Sequence, residues 1–297
     1  MTQLKDAGAR RAPLSQWAPV RLLCYAAGIM ATAVAATIVT RLLVPPAPSP
    51  WHELVLIKNA LLPLLMLALY AGLVHLMEHR PAREIDVRKG LPTFMVGALI
   101  GTALMGVFFS TLWGVGMARI TGGTGLDGLA NELLVPLVTA IGEELLFRVV
   151  LFRLVEEMTG TTVAILISAA VFGLSHAANP GATILTITAL SAELGVMLAL
   201  AYVLTRNIWL AIGIHMSWNF TQGYLFGGSN SGLRDPQSLL HTTLAGPAVL
   251  TGGSFGPEGS ILTLGLSLVA SGVLFVLIIM RKGNWQPLRF QLRLEAS

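Results

Sequence analysis

One cysteine, Cys24, in 297 residues leaves nothing from which to build a disulfide framework or a thiolate zinc site. Charge is almost as scarce. Asp, Glu, Lys and Arg make up 11% of the chain, against about a quarter in soluble domains, while 54% of it is hydrophobic and its mean hydropathy is +0.73. That balance excludes an ordinary soluble domain. Repeated apolar runs of about twenty residues predict instead an all-α, polytopic integral membrane helix bundle lying in the lipid bilayer. No internal repeat is visible, which argues against a proton-coupled transporter built from two related halves. His52-Glu53 lacks a second His four residues on, so it is no zinc-protease helix. The net charge of +4 and pI near 9.6 would suit nucleic acid, but the basic residues sit in short clusters beside apolar runs. Topology explains them there, and no nucleic acid is expected as a partner.

Eight apolar runs are present. They extend from Leu22 to Val44, Leu54 to Met77, Phe94 to Met117, from near Leu129 to Val155, Thr162 to Ala177, Thr183 to Thr205, Ile208 to Phe226 and Ile261 to Met280. Ala33-Val34-Ala35 resembles a signal-peptidase site, but the run continues well past it, so the first run reads as an uncleaved anchor. Pro45, Pro46, Pro48 and Pro50 make a stiff connection, Ile120 to Gly128 a Gly-rich turn, and Gly227 to Gly259 the longest polar loop. Basic residues concentrate before the first run, at Arg80, Arg83, Arg88 and Lys89, at Arg148 and Arg153, at Arg206 and after the last run. With eight spans all of these fall on one face, so about eight transmembrane helices with both termini cytoplasmic are expected. The chain then reads as a single integral membrane domain, 1–297, with cytoplasmic tails at 1–19 and 281–297 and a motif-bearing core at 129–220. A bacterial inner (plasma) membrane is the expected location.

Polar residues inside such runs need a reason. An ionised side chain near the bilayer centre costs at least roughly 2.5–3.5 kcal/mol, so the three in Glu143-Glu144-Leu145-Leu146-Phe147-Arg148 require partners, water or a task. Glu144 and Arg148 stand at i, i+4 and can pair. Glu143 points about 100° away and has no partner in its own helix. Two more runs carry pairs spaced i, i+4, Phe172 with His176 and His215 with Asn219, so three helices turn polar faces toward one cavity. Glu193, in the sixth run, is read as lining the same cavity. A carboxylate beside an imidazole can hold and deprotonate water, which suits Glu143 with His176. A second imidazole beside an amide supplies donors to an oxyanion, which suits His215 with Asn219. Amide hydrolysis without a Ser or Cys nucleophile is one chemistry these groups support. Zinc is an alternative cofactor, with His176, His215 and a Glu as ligands around an open position. A non-catalytic membrane scaffold is another reading.

In this order, E-E-x-x-x-R (Glu143, Glu144, Arg148), F-x-x-x-H (Phe172, His176) and H-x-x-x-N (His215, Asn219) resemble the CAAX-protease and bacteriocin-processing membrane family, also called CPBP or Abi. The resemblance covers about Leu129 to Phe220, and the run GGSFGPEGS around Glu258 is similar to a segment of many bacterial members. It implies a glutamic-type intramembrane endopeptidase without a metal or other cofactor, acting on a membrane-embedded or membrane-associated polypeptide. By that resemblance Glu143 and His176 activate water, His215 and Asn219 stabilise the oxyanion, and Glu144, Arg148 and Phe172 support them. The runs place Glu143 near mid-membrane and His176 near an outer end, so the reading also requires these two side chains to approach within a water-bridged distance.

Overall fold

The computed structural model of the chain describes residues 17–43, 52–126, 128–234, 237–281 and 285–286. The tails expected at 1–19 and 281–297 fall almost wholly outside the described residues, as does the Pro45 to Pro50 connection. Three long helices come first: α1 (Ala18–Leu43), α2 (His52–Glu78) and α3 (Val87–Gly114). Next, α4 (Leu129–Glu144) runs through a π-helical stretch, Leu145–Phe152, into α5 (Arg153–Thr159) as one rod. α6 (Thr161–Leu174) follows, and then α7 (Ile184–Leu190) joins α8 (Val196–Thr205) through a π-turn at Ser191–Gly195. α9 (Trp209–Phe220) also ends in a π-turn, Thr221–Leu225, before a long loop containing α10 (Ala248–Thr251) leads to α11 (Ile261–Met280).

Among the described residues, five helical segments are long and apolar enough to cross a membrane: Ala18–Val39, Glu53–Glu78, Gly90–Gly114, Ile184–Thr205 and Ile261–Met280. The chain is therefore a multi-span helix bundle. These five match the first, second, third, sixth and eighth apolar runs. The fourth, fifth and seventh runs are helical too but stand outside that set; α6, for example, has 14 residues, about 21 Å of rise.

α8 forms the centre of the bundle, with Met197 to Leu204 all buried. α3 and α9 approach most closely. A side chain at Gly97 would strike the Leu210 carbonyl, and one at Gly101 would strike Ser217 and the Ile214 carbonyl. This G-x-x-x-G face is how membrane helices gain contact area where no water is available to drive them together.

Two local expectations need correction. Ile120 to Gly122 are not part of a turn: β1 (Ala118–Gly122) pairs antiparallel with β2 (Leu240–Leu244), Ala118 opposite Leu244 and Gly122 opposite Leu240. β-Branched residues on both strands, Ile120, Thr121, Thr242 and Thr243, outweigh the neighbouring glycines. The fifth helix stops at Leu174 and not near Ala177. There the Ser175 hydroxyl donates to the Phe172 carbonyl at 2.7 Å, a side-chain bond that competes with the helical ladder.

One end of the bundle is tied by an ionic network. Glu78 accepts hydrogen bonds from Tyr25 (2.8 Å), Arg80 (2.7 Å) and Arg153 (2.7 and 2.9 Å), and Arg21 lies 3.4 Å from it. Glu84 accepts from Arg80 (2.6 and 2.9 Å) and Tyr70 (2.5 Å), while Glu156 pairs with Arg206 at 2.5 Å. Arginines from four separate parts of the chain thus meet at one level. Burial pushes the Glu84 carboxyl up, but the Arg80 and Tyr70 hydrogen bonds and the Arg153 charge outweigh it and leave it below the usual carboxylate range. A depressed carboxyl adds stability that is present above the unfolded value, near 4.3, and is lost as pH falls through the folded one. Glu84→Gln is therefore expected to lower unfolding free energy in detergent by about 2 kcal/mol at neutral pH, with the gap to wild type closing as pH drops below about 4.

Candidate active site

Glu143 and Glu144 end α4, immediately before the π-helical stretch. The wider π winding changes the angular register of the residues beyond it, a device often found beside functional residues. Glu144 and Arg148 are wholly buried and pair as expected, Arg148 Nη1 lying 3.2 Å from Glu144 Oε1. Arg148 Nη2 donates to the carbonyls of Leu194 (3.2 Å) and Gly195 (3.3 Å), and its guanidinium lies 4.6 Å from the centre of the Phe172 ring. One cation thus draws the α4 rod, α6 and the π-turn at Ser191–Gly195 together.

The same Glu144 Oε1 is 2.9 Å from His215 Nδ1, a contact the motifs did not reveal. An ionised carboxylate has no hydrogen to give, so Nδ1 carries it. His215 Nε2 then points to Glu143, 3.9 Å from its Oε2, beyond hydrogen-bond length. The Glu143 side chain is 26% exposed where its neighbour Glu144 has no exposure, so of the two adjacent carboxylates only Glu143 faces open space.

That space is a cavity of about 530 Å³ whose wall includes Glu143, Phe172, His176, His215 and Asn219. Its formation brings the four proposed catalytic side chains onto one surface, together with Phe172. His176 stands on the turn just past α6 and not within a helix. Its Nδ1 is 2.9 Å from the Phe172 carbonyl and 3.1 Å from the Ser175 hydroxyl. A carbonyl only accepts, so Nδ1 donates to it, and in a neutral ring this leaves the lone pair on Nε2. Phe172 is a wedge, with ring centres 5.2 Å from His176, 5.9 Å from His215 and 5.3 Å from Phe147. Asn219 lies one turn after His215 on α9, and its backbone carbonyl accepts from the Asn230 amide at 3.2 Å.

Two acidic residues on this wall were missed. Glu132, in the first turn of α4, and Glu258, in the 3₁₀ turn Pro257–Gly259, both line the cavity and are almost fully buried. The sequence signals for Glu258 were its place in a glycine-dense run and the likeness of that run to a segment of the resembled family; Glu132 carried none. Glu193, read as part of the cavity, is not on its wall. It is fully buried in the π-turn of the sixth run, with neither carboxylate oxygen hydrogen-bonded. A second hollow, about 540 Å³, opens between α1, α2 and α4 and shares Val135, Thr139, Glu143 and Leu146 with the first. Among the described residues no three His, Cys, Asp or Glu side chains cluster as a metal site, so His176 and His215 do not converge with a glutamate as a ligand set.

Residues 126–221 match the family model described as type II CAAX prenyl endopeptidase Rce1-like. This segment contains all three motifs and stops short of Glu258. No curated protein and no solved structure matches the chain.

The two adjacent glutamates should separate cleanly in a stability measurement. Glu144→Ala leaves Arg148 buried without its counter-charge and is expected to cost about 3–5 kcal/mol in detergent unfolding. Glu143→Ala, at a half-open position with no short hydrogen bond, is expected to cost less than about 1 kcal/mol.

Proposed function

We propose that the protein is an intramembrane endopeptidase of the CAAX-protease type, hydrolysing a peptide bond of a membrane-embedded or membrane-associated polypeptide. The observation that carries this reading is the shared cavity in which Glu143 and His176 present acceptors while His215 and Asn219 stand beside them. The similarity of residues 126–221 to the Rce1-like model supports it.

Water held between Glu143 and His176 gives up a proton to them, with His176 Nε2 free to accept because Nδ1 is committed to the Phe172 carbonyl. The hydroxide adds to the scissile carbonyl carbon. Negative charge then develops on the carbonyl oxygen, where the Asn219 amide and an Nε2–H of His215 act as donors. Glu144 and Glu143 lie on either side of the His215 ring, so an imidazolium there is paired by both carboxylates. When the C–N bond breaks, the amine takes up the proton that the water lost. Glu144, Arg148 and Phe172 act through the others: Arg148 fixes Glu144, Glu144 orients His215, and Phe172 spaces the two imidazoles.

The proposal includes eight membrane crossings with both termini cytoplasmic, in a bacterial inner membrane. The tails are 1–19 and 281–297, and residues 129–220 form the catalytic core of a single domain. Support for the topology comes from the ionic network, where Arg21, Arg80, Arg153 and Arg206, four of the basic positions that topology assigns to the inner face, converge at one end of the bundle.

The test is cleavage of a proteome-derived membrane-peptide library by the purified full chain in liposomes. Wild type is expected to cleave with and without chelator, and Glu143→Ala and His176→Ala to lose at least about 100-fold in rate. His215→Ala and Asn219→Ala are expected to lose a comparable factor as oxyanion donors. Folded wild type that cleaves nothing would sink the hydrolase reading, whereas loss of cleavage on chelation would overturn the metal-independent mechanism.

A further inference from the structure

The loops that close the cavity are locked together by contacts only glycine tolerates. Gly256, at φ +109°, lies so close to the Ser229 carbonyl that no Cβ fits, and Gly232, at φ +86°, is as close to the Pro180 carbonyl. Gly232 N–H donates to the Phe255 carbonyl at 2.6 Å, joining the same two loops by a backbone hydrogen bond. The effect of this knot is to bring Glu258, 1% exposed, onto the cavity wall. Its Oε2 accepts the Ser231 N–H at 2.5 Å. Ser231 in turn offers its carbonyl to the Asn179 amide at 2.8 Å, and Asn179 N–H donates to the His176 carbonyl at 3.0 Å. A continuous hydrogen-bonded chain thus runs from the Glu258 carboxylate to the turn that carries His176.

Electrostatics follow the same route. Glu258 and His176 lie within charge range of each other, and both neighbours of His176 Nδ1, the Phe172 carbonyl and the Ser175 hydroxyl, are uncharged. Glu193 also acts on Glu258 electrostatically, and the other ionisable groups on the cavity wall are Glu143, Glu132, Arg234, His215 and Tyr224. Three of those six are carboxyls, but the hydrogen-bonded chain to the His176 turn starts from Glu258. We propose that Glu258 is a positioning residue, a buried carboxylate that fixes the His176 turn through Ser231 and Asn179 and supplies the counter-charge for the imidazolium formed when His176 takes the water's proton. This rests on the endopeptidase reading. Burial pushes the Glu258 carboxyl above its usual range, partly opposed by the Ser231 N–H and the His176 ring. The role parallels that of a buried carboxylate that steadies a catalytic histidine without itself exchanging the proton.

The test is steady-state kinetics of the full chain in liposomes on the library peptide that wild type cleaves fastest. Glu258→Gln keeps the shape and the acceptor for Ser231 N–H but not the charge. It is expected to lower kcat about 30-fold with KM within about twofold, and Glu258→Asp to recover part of that loss. In a His176→Ala background Glu258→Gln is expected to cost nothing further, because the carboxylate acts through the imidazole. An unchanged kcat in Glu258→Gln, or the same 30-fold loss in both backgrounds, overturns the proposal. If Glu258→Gln also lowers the unfolding temperature, Glu258→Asp decides, and a folded Asp variant as slow as the Gln variant overturns the charge argument. Wild type that cleaves no peptide removes the endopeptidase reading and this role with it, an outcome distinct from an active wild type with an indifferent Glu258.

Discussion

Everything near the cavity depends on one carboxylate oxygen. Glu144 Oε1 receives both Arg148 and His215 at 3.2 and 2.9 Å in a buried region, so a guanidinium and an imidazole from distant parts of the chain are held by a single acceptor. A buried ion pair contributes little net stability once desolvation is counted, but removing one member leaves an uncompensated charge. What the arrangement supplies is definition. With Arg148 also spanning to the Leu194 and Gly195 carbonyls, the α4 rod, the sixth run and α9 have one relative placement in which both terminal nitrogens of the guanidinium are used. Glu143 is aimed into the cavity because its neighbour in sequence is tied away from it.

The π-helical windings belong to the same logic. They occur at Leu145–Phe152, Ser191–Gly195 and Thr221–Leu225, each just beyond or within a stretch that carries a polar intramembrane side chain. An ideal α-helix carrying Glu143, Glu144 and Arg148 would keep its later residues on a fixed 100° progression; the π register shifts them. Such a shift lets an ion pair sit on one side of the rod while the apolar residues Val149, Val150 and Phe152 remain buried.

Much of the bundle was legible because apolar runs of membrane length leave few alternatives, and the Glu144–Arg148 pair followed from i, i+4 spacing alone. That Glu143, His176, His215 and Asn219 share one cavity wall was legible for a related reason: polar groups inside apolar helices are expensive, so they stand out. What escaped was of two kinds. β1 and the early end of α6 depend on local competition, threonine and isoleucine against glycine in one case and the Ser175 hydroxyl against the helical ladder in the other. Glu258 and the His215–Glu144 bond depend on chain segments tens of residues apart meeting in space, about which periodicity is silent. Glu193 misled for the opposite reason, since a mid-run carboxylate signals burial without saying which way it faces.

The order in which the chain emerges gives the loop around Glu258 a further meaning. The cavity wall starts at Glu132 and is not complete until Glu258 has joined it, just ahead of the last long helix. A membrane protein made from its N-terminus inserts its helices in sequence, so the three motifs are in place while the closing loops are still unmade. A cavity assembled in that order stays open until the loops carrying Ser229, Gly232 and Gly256 have been made. The glycine knot is therefore a late step in completing the cavity wall.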